Sequence, residues 1–221
     1  MARVSDGARA ADGGDRFSRT PAGPGIMPRI FAGIGVAAPP SPPGDLLPVP
    51  DTRQSTTYSC GASALQAVLM YYGTELREDE LMERLHTDPQ EGTTPQNIIR
   101  VAQEEGLEAE LRQPVTFDDI KASLERKQPV MVMCQAWRDE DGPQTPWKDD
   151  WEDGHYMVVI GLDDSNVYFE DPSLLGSRGF ISRAEFEDRW HDYDKGGRYE
   201  HAAIFFGGRS PAPPPAFVHV D

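Results

Sequence analysis

Gln54-Ser55-Thr56-Thr57-Tyr58-Ser59-Cys60-Gly61 runs directly into Ala62-Ser63-Ala64-Leu65-Gln66-Ala67-Val68-Leu69-Met70-Tyr71-Tyr72. Leu65, Val68, Leu69 and Tyr72 recur at i, i+3, i+4 and i+7, the spacing of one buried helix face. This predicts a helix over 60–72, with Ser59 as its N-cap and Gly73 as its stop. Cys60 then stands at the head of the helix, where unpaired N–H groups and the helix dipole favour an anion. A thiol in that position is a candidate nucleophile, because the thiolate is the attacking form.

Outward from this stretch, three more helices are expected before the periodicity changes. Glu78 to Leu85 turns Leu81, Met82 and Leu85 inward. Thr93-Thr94-Pro95 opens a helix that Gly106 ends, with Ile98, Ile99, Val101 and Ala102 as its apolar face. Phe117 to Lys127 carries Ile120 and Leu124. Pro129-Val130-Met131-Val132-Met133-Cys134 is then a continuous apolar run, the mark of a buried strand. Residues 136–153 read as a long loop. His155 to Gly161 is a second buried strand, Asp163-Asp164-Ser165-Asn166 a hairpin turn, and Val167 to Asp171 the returning strand. Ser182, with Glu185 three residues on, predicts a capping box for a helix reaching Trp190. Ala202 to Phe206 is a last strand. Helices first and hairpin-linked strands after them give an α+β domain with an antiparallel sheet.

His155 opens a strand, so its ring can sit at a sheet edge and exchange a proton with Cys60. The hairpin folds Asp171 back toward His155, where a carboxylate can fix the imidazole tautomer. The side-chain N–H of Gln54, in the loop ahead of the thiol, can join the Cys60 backbone N–H in donating to a developing oxyanion. Gln54, the Cys60-Gly61 pair at a helix start, Gly154-His155-Tyr156 and Asp171-Pro172, in this order, resemble the C39 family of cysteine peptidases in the papain-like superfamily. The resemblance spans roughly residues 50–206.

The resemblance implies a papain-like fold, in which an N-terminal helical half carrying the cysteine helix packs on a C-terminal antiparallel sheet. It implies peptide-bond hydrolysis through an acyl-enzyme, with Cys60 as nucleophile, His155 as general base, Asp171 as its orienter and Gln54 as oxyanion donor. The implied partner is a peptide or protein substrate, with no cofactor and no metal. The best-known members cleave after a double glycine in bacteriocin leader peptides, as domains fused to ABC transporters. Two features depart from that pattern: Ser59 stands where an acidic residue commonly precedes the cysteine, and no transmembrane or ATP-binding part is expected within these 221 residues. Two alternatives stay open. One is another thiol-dependent acyl transfer (amidase, transpeptidase or acyltransferase), the other a non-catalytic peptide-binding relative.

Composition sets the frame. Among 221 residues are 20 prolines and 21 glycines, and the prolines crowd the ends. Residues 1–48 and 209–221 lack any apolar periodicity and read as Pro-rich tails around a domain at 49–208. A net charge of −16 argues against phosphate-mediated nucleic-acid binding and against anionic membrane surfaces. No apolar run is long enough to span a bilayer. The expected location is cytoplasmic, or secreted if translation starts at Met27, ahead of a weak apolar stretch. Oligomeric state has no sequence signal. Two cysteines make no disulfide framework, and Cys134 reads as core. His86, His191, His201 and His219 lack metal-ligand spacing. The acidic loop Asp149, Asp150, Glu152, Asp153 reads as solvated, and by flanking His155 it favours a basic group on a substrate. Trp137, Trp147 and Trp151 in the same loop are cleft walls, a lid, or anchors for the loop.

Overall fold

The run Val130–Gln135 is apolar at nearly every position because it becomes the middle of a sheet covered on both faces. The computed structural model describes residues 43–138, 142 and 144–213. In chain order the helices are α1 (Cys60–Tyr71), α2 (Glu78–Arg84), α3 (Pro95–Glu104), α4 (Phe117–Glu125) and α5 (Arg183–Arg189). The strands are β1 (Glu108–Arg112), β2 (Val130–Gln135), β3 (Gly154–Leu162), β4 (Asn166–Glu170), β5 (Gly179–Ser182), β6 (His191–Asp194), β7 (Gly197–Glu200) and β8 (Ala203–Gly207). Six of them form one antiparallel sheet in the order β1-β8-β2-β3-β4-β5, and β6 and β7 make a separate hairpin.

Alternation along the strands divides the core in two. Met131, Met133, Val158, Ile160 and Ile204 meet Leu65, Val68 and Leu69 of α1, Leu81 of α2, and Ile98 and Val101 of α3. Val130, Val132, Val159, Phe169 and Phe205 meet Ile120 of α4, Phe186 of α5 and Trp190. The helical half expected on one side of the sheet is therefore α1 to α3 only; α4 and α5 form a second layer behind it.

The caps explain where several helices begin. Thr94 accepts from Asn97 N with Pro95 behind it, and Thr116 and Asp119 satisfy each other's backbone N–H groups in a capping box. At α5 only half of the expected box forms: Ser182 Oγ accepts from Glu185 N at 3.2 Å, while the Glu185 carboxylate pairs with Arg189 instead. The Asp163 carboxylate accepts from Ser165 N and Asn166 N, both at 2.8 Å, and makes the β3–β4 turn where it was expected.

Four strands are additions to the sequence reading: β1, β5, β6 and β7. The body also begins upstream of residue 49. Leu47 is buried and its N–H donates to Ile160 O at 2.8 Å. Leu46 lies against Gly161, where any Cβ would meet its side chain. At the other end Ala212 N donates to Tyr71 O at 2.9 Å. The remaining tail residues, 1–42 and 214–221, with the Met27 stretch and His219, lie outside the described residues.

Candidate active site

Cys60 is the first residue of α1, and the chain before it is a tight loop rather than a cap. Ser59 occupies the N-cap position, but its hydroxyl accepts from Thr56 N at 3.1 Å and donates back to Thr56 O at 3.3 Å. It makes no capping bond to α1, and the first turn of the helix has no acidic residue. The positive end of the dipole is left facing Cys60. Gly61 is closely packed: a Cβ there would stand 3.0 Å from Thr93 Cβ and 3.3 Å from the Tyr156 ring, so those neighbours would have to give way. The Tyr156 hydroxyl donates to Thr93 O at 3.0 Å and fixes that contact.

β2 and β3 run side by side with Cys134 opposite His155. Cys134 is fully buried, as expected of a core residue, and burial pushes its thiol well above the ordinary range. Gly154 opens β3 hard against Asp192, whose carboxylate oxygens lie 2.6 and 2.8 Å from where a Cβ would be. Any side chain there would force the Asp192 carboxylate to move.

The His155 ring is buried, and its Nε2 donates to Asp171 Oδ1 at 2.7 Å. Nδ1 is left for the thiol. Burial works against a charged ring, but the bonds from the imidazole to Asp171 and Cys60 outweigh it and raise the His155 pKa well above its ordinary value. Asp171 is the converse case. Burial alone would raise its pKa, yet hydrogen bonds from His155, Ser173 N (2.9 Å) and Trp137 Nε1 (3.0 Å) hold it below the usual carboxylate range. Sequence reasoning missed the last two donors. Trp137 reaches Asp171 from a left-handed backbone, φ +61°. For a bulky side chain that conformation costs on the order of 1–3 kcal/mol.

Gln54 lies in the loop ahead of Cys60 and is tied to the residues that follow Asp171. Its N–H donates to Pro172 O at 3.0 Å. Its side-chain Nε2 donates to Thr56 O at 2.8 Å, and its Oε1 accepts from the Ser173 hydroxyl at 3.2 Å. The amide is therefore oriented on both sides. Nε2 carries two hydrogens, and Thr56 takes one.

A cavity of about 250 Å³ adjoins Cys60. Its acidic wall is Glu91, Glu152, Asp192 and Asp194, with Trp151 beside them. The acidic loop thus contributes one of the four acids, and Asp192 and Asp194 come from β6, which the sequence did not disclose. Asp150 faces away and pairs with Arg138 at 2.5 Å. The three tryptophans divide the roles expected of them. Trp151 lines the cavity and packs on His191 at 4.3 Å between ring centres. Trp147 anchors the loop between the guanidinium groups of Arg138 and Arg189, 3.5 and 3.7 Å from its ring centre. Trp137 supports Asp171. Of the remaining histidines, His191 Nε2 contacts Asp150 O at 2.5 Å, and His201 stacks on Trp190.

Beside Asp171, Glu170 is fully buried. Its Oε1 accepts from Thr52 N and Thr52 Oγ1, both at 3.1 Å, and its Oε2 has no partner. Burial raises its pKa from 4.5 to about 7, against the opposing pull of the Thr52 bonds. Between those values the folded chain holds the proton more tightly than the unfolded one, so stability falls as pH rises through that window. Asp192, also raised to about 7 by burial, acts with the same sign. From pH 5 to pH 8 the wild type is expected to lose on the order of 2–3 kcal/mol more stability than Glu170→Gln, which keeps an acceptor for Thr52 without titrating. Denaturant unfolding at the two pH values measures the difference; equal losses would mean that Glu170 does not titrate there.

A buried thiol, imidazole and carboxylate converge at a helix head on an α+β body of papain-like fold. A family model for the Peptidase_C39-like family matches residues 46–197, and the chain belongs to that family. An uncharacterized protein of Methanothermobacter marburgensis is 31% identical over 123 residues, which cover 55% of this chain and 70% of that protein. The pediocin PA-1 transport/processing ATP-binding protein PedD of Pediococcus acidilactici is 24% identical over 139 residues, 63% of this chain and 17% of PedD. Among solved structures, a Bacillus anthracis protein described as a C39-like peptidase aligns with TM-score 0.57 at 20% identity, covering 75% of this chain and 98% of its own. The peptidase domain of Streptococcus ComA, a bi-functional ABC transporter, aligns with TM-score 0.51 at 21% identity, covering 72% and 97%. A double glycine motif protease from an AMS/PCAT transporter, in complex with a leader peptide, aligns with TM-score 0.51 at 18% identity, covering 75% and 95%.

Proposed function

We propose that this chain is a cysteine peptidase that hydrolyses a peptide bond through an acyl-enzyme on Cys60. One observation carries it: the His155 ring, held by Asp171 at 2.7 Å, offers its other nitrogen to a thiol at the head of α1. Family membership and the fold shared with peptidase domains support the same reading.

In the attack His155 carries the proton, as its raised pKa favours, and the sulfur acts as the thiolate, the nucleophilic form of a thiol. Sγ attacks the carbonyl carbon, and the carbonyl oxygen takes the negative charge. The Cys60 backbone N–H and the second Nε2 hydrogen of Gln54 are the donors for it. As the intermediate collapses the C–N bond breaks, and His155 gives its proton to the departing amine. The neutral ring then takes a proton from water, whose oxygen attacks the thioester. The C–S bond then breaks, the acid product leaves, and the sulfur is freed beside a His155 that keeps the proton taken from water. The substrate is a peptide. The acidic cavity beside Cys60 suits a cationic group on it, and the leader peptide in complex with the AMS/PCAT protease is a precedent for a peptide ligand on this fold.

The test is a pooled-peptide digest with acid quench during turnover, followed by mass spectrometry. Cleaved peptides are expected, together with a Cys60 adduct whose mass equals the acyl half of the substrate. No cleavage and no adduct would overturn the proposal. Transfer of the acyl group to an added amine or alcohol in place of water would point to the acyl-transfer alternative.

A further inference from the structure

The four residues Glu170-Asp171-Pro172-Ser173 leave β4 and immediately touch both sides of the site. Glu170 Oε1 accepts from Thr52 N and Thr52 Oγ1. Asp171 Oδ1 accepts from His155 Nε2 at 2.7 Å and from Ser173 N at 2.9 Å. Pro172 O accepts from Gln54 N at 3.0 Å. The Ser173 hydroxyl donates to Gln54 Oε1 at 3.2 Å, and Ser173 O accepts from the Arg53 guanidinium. Three consecutive residues of the nucleophile's loop, 52 to 54, are thus bound by the segment that also holds the base.

We propose that residues 170–173 are a strap that sets the oxyanion-donor loop against the base, and that Ser173 is the positioning residue for the Gln54 amide. The proposal rests on the peptidase reading above. An amide at the end of a glutamine side chain turns about a broad, nearly two-fold torsion. Two contacts remove that freedom. Thr56 O takes an Nε2 hydrogen on one side, and the Ser173 hydroxyl occupies Oε1 on the other. The donor is thereby oriented before a substrate arrives, and such pre-organisation is what makes a donor effective toward a developing charge. Ser173 reaches the imidazole only through Asp171, by its backbone N–H, which a side-chain substitution leaves in place.

Chemistry that needs an oxyanion should therefore depend on Ser173, and chemistry that needs only the thiolate should not. Alkylation by iodoacetamide is displacement at a saturated carbon and forms no oxyanion. A peptide aldehyde forms a hemithioacetal whose oxygen sits where the oxyanion would. For Ser173→Ala the expected results are a kcat about tenfold lower with KM nearly unchanged, a peptide-aldehyde affinity about tenfold weaker, and an iodoacetamide rate equal to wild type. Ser173→Thr, which keeps the hydroxyl, should restore both kcat and aldehyde affinity, and thermal melting shows that each variant is folded. Unchanged kcat and aldehyde affinity in folded Ser173→Ala would overturn the proposal. So would a parallel fall in iodoacetamide rate, which would mean that Ser173 supports the thiol and imidazole generally. If the wild type hydrolyses no peptide, the peptidase reading fails by itself, while the aldehyde comparison still decides the strap.

Discussion

Cys60→Ala is expected to abolish turnover, by at least about 10⁴-fold and down to the detection limit, while leaving the protein folded. In the proposed mechanism the sulfur forms the covalent intermediate, and the neighbouring Ser59 hydroxyl is turned back onto the backbone of Thr56. The other thiol, Cys134, is fully buried in β2 opposite His155, with its ionisation suppressed by burial. The fold should tolerate the change because alanine is the best helix former and only the sulfur is removed. Kinetic assays beside a thermal melt make the check, with Cys134→Ala as the companion: it should retain activity at some cost in stability. Iodoacetamide should label one thiol per folded chain, and peptide mapping should place it on Cys60. Residual activity in a folded Cys60→Ala protein would remove the thiol from the chemistry.

The parts of the fold that could be read in advance were those where one local pattern decides the outcome. The i, i+3, i+4, i+7 spacing of Leu65, Val68, Leu69 and Tyr72 fixes α1, and with it the place of Cys60. The unbroken apolar run of β2 reports burial on both faces. By contrast β1 is Glu-Ala-Glu-Leu-Arg, an edge strand with only Ala109 and Leu111 turned toward the body. Nothing in five residues so rich in charge distinguishes it from a loop. The β6–β7 hairpin is likewise short and polar, which concealed Asp192 and Asp194 and with them half of the acidic wall of the cavity.

The site divides in the same way. His155 and Asp171 were legible as partners because an Asp-rich turn joins two strands, and such a hairpin leaves little freedom in where its ends meet. Their supporting contacts were not. Ser173 and Gln54 are 119 residues apart, and the strap's contacts to Thr52 and Arg53 span the same distance to within one residue. Each is an ordinary loop residue in its own neighbourhood. Trp137 reaches Asp171 from a left-handed backbone, a conformation that a tryptophan in sequence gives no reason to expect. Ser59 shows the opposite failure: a residue type that usually caps helices instead folds its hydroxyl back on Thr56.

Asp171→Ala is expected to lower kcat/KM by roughly 10²–10³-fold and to move the alkaline limb of the pH profile to lower pH. In the proposed mechanism the imidazolium form of His155 is the active one, and its proton is held by hydrogen bonds from the ring to Asp171 and Cys60 against the opposing effect of burial. Without the carboxylate the ring releases its proton at lower pH, so activity is lost earlier as pH rises. The linkage to stability runs the same way. The raised His155 stabilises the fold below the ordinary imidazole value and loses that contribution as pH climbs through its folded value. The lowered Asp171 contributes above the ordinary carboxylate value and loses it as pH falls through its own. Asp171→Asn separates charge from geometry. It retains an oxygen for His155 and should lose less activity, yet its alkaline limb should fall as well. It also shows why a carboxylate is needed at this position. His155 Nε2, Ser173 N and Trp137 Nε1 all donate to it. An ionised carboxyl accepts on both oxygens, whereas an amide would turn its own N–H hydrogens against at least one of those donors. With its oxygen kept on His155 and Ser173, the substituted amide would expel the Trp137 indole, and loss of that hydrogen bond should register as a change in tryptophan fluorescence. An alkaline limb that stays in place in both variants would mean that something other than the Asp171 charge holds the proton on His155.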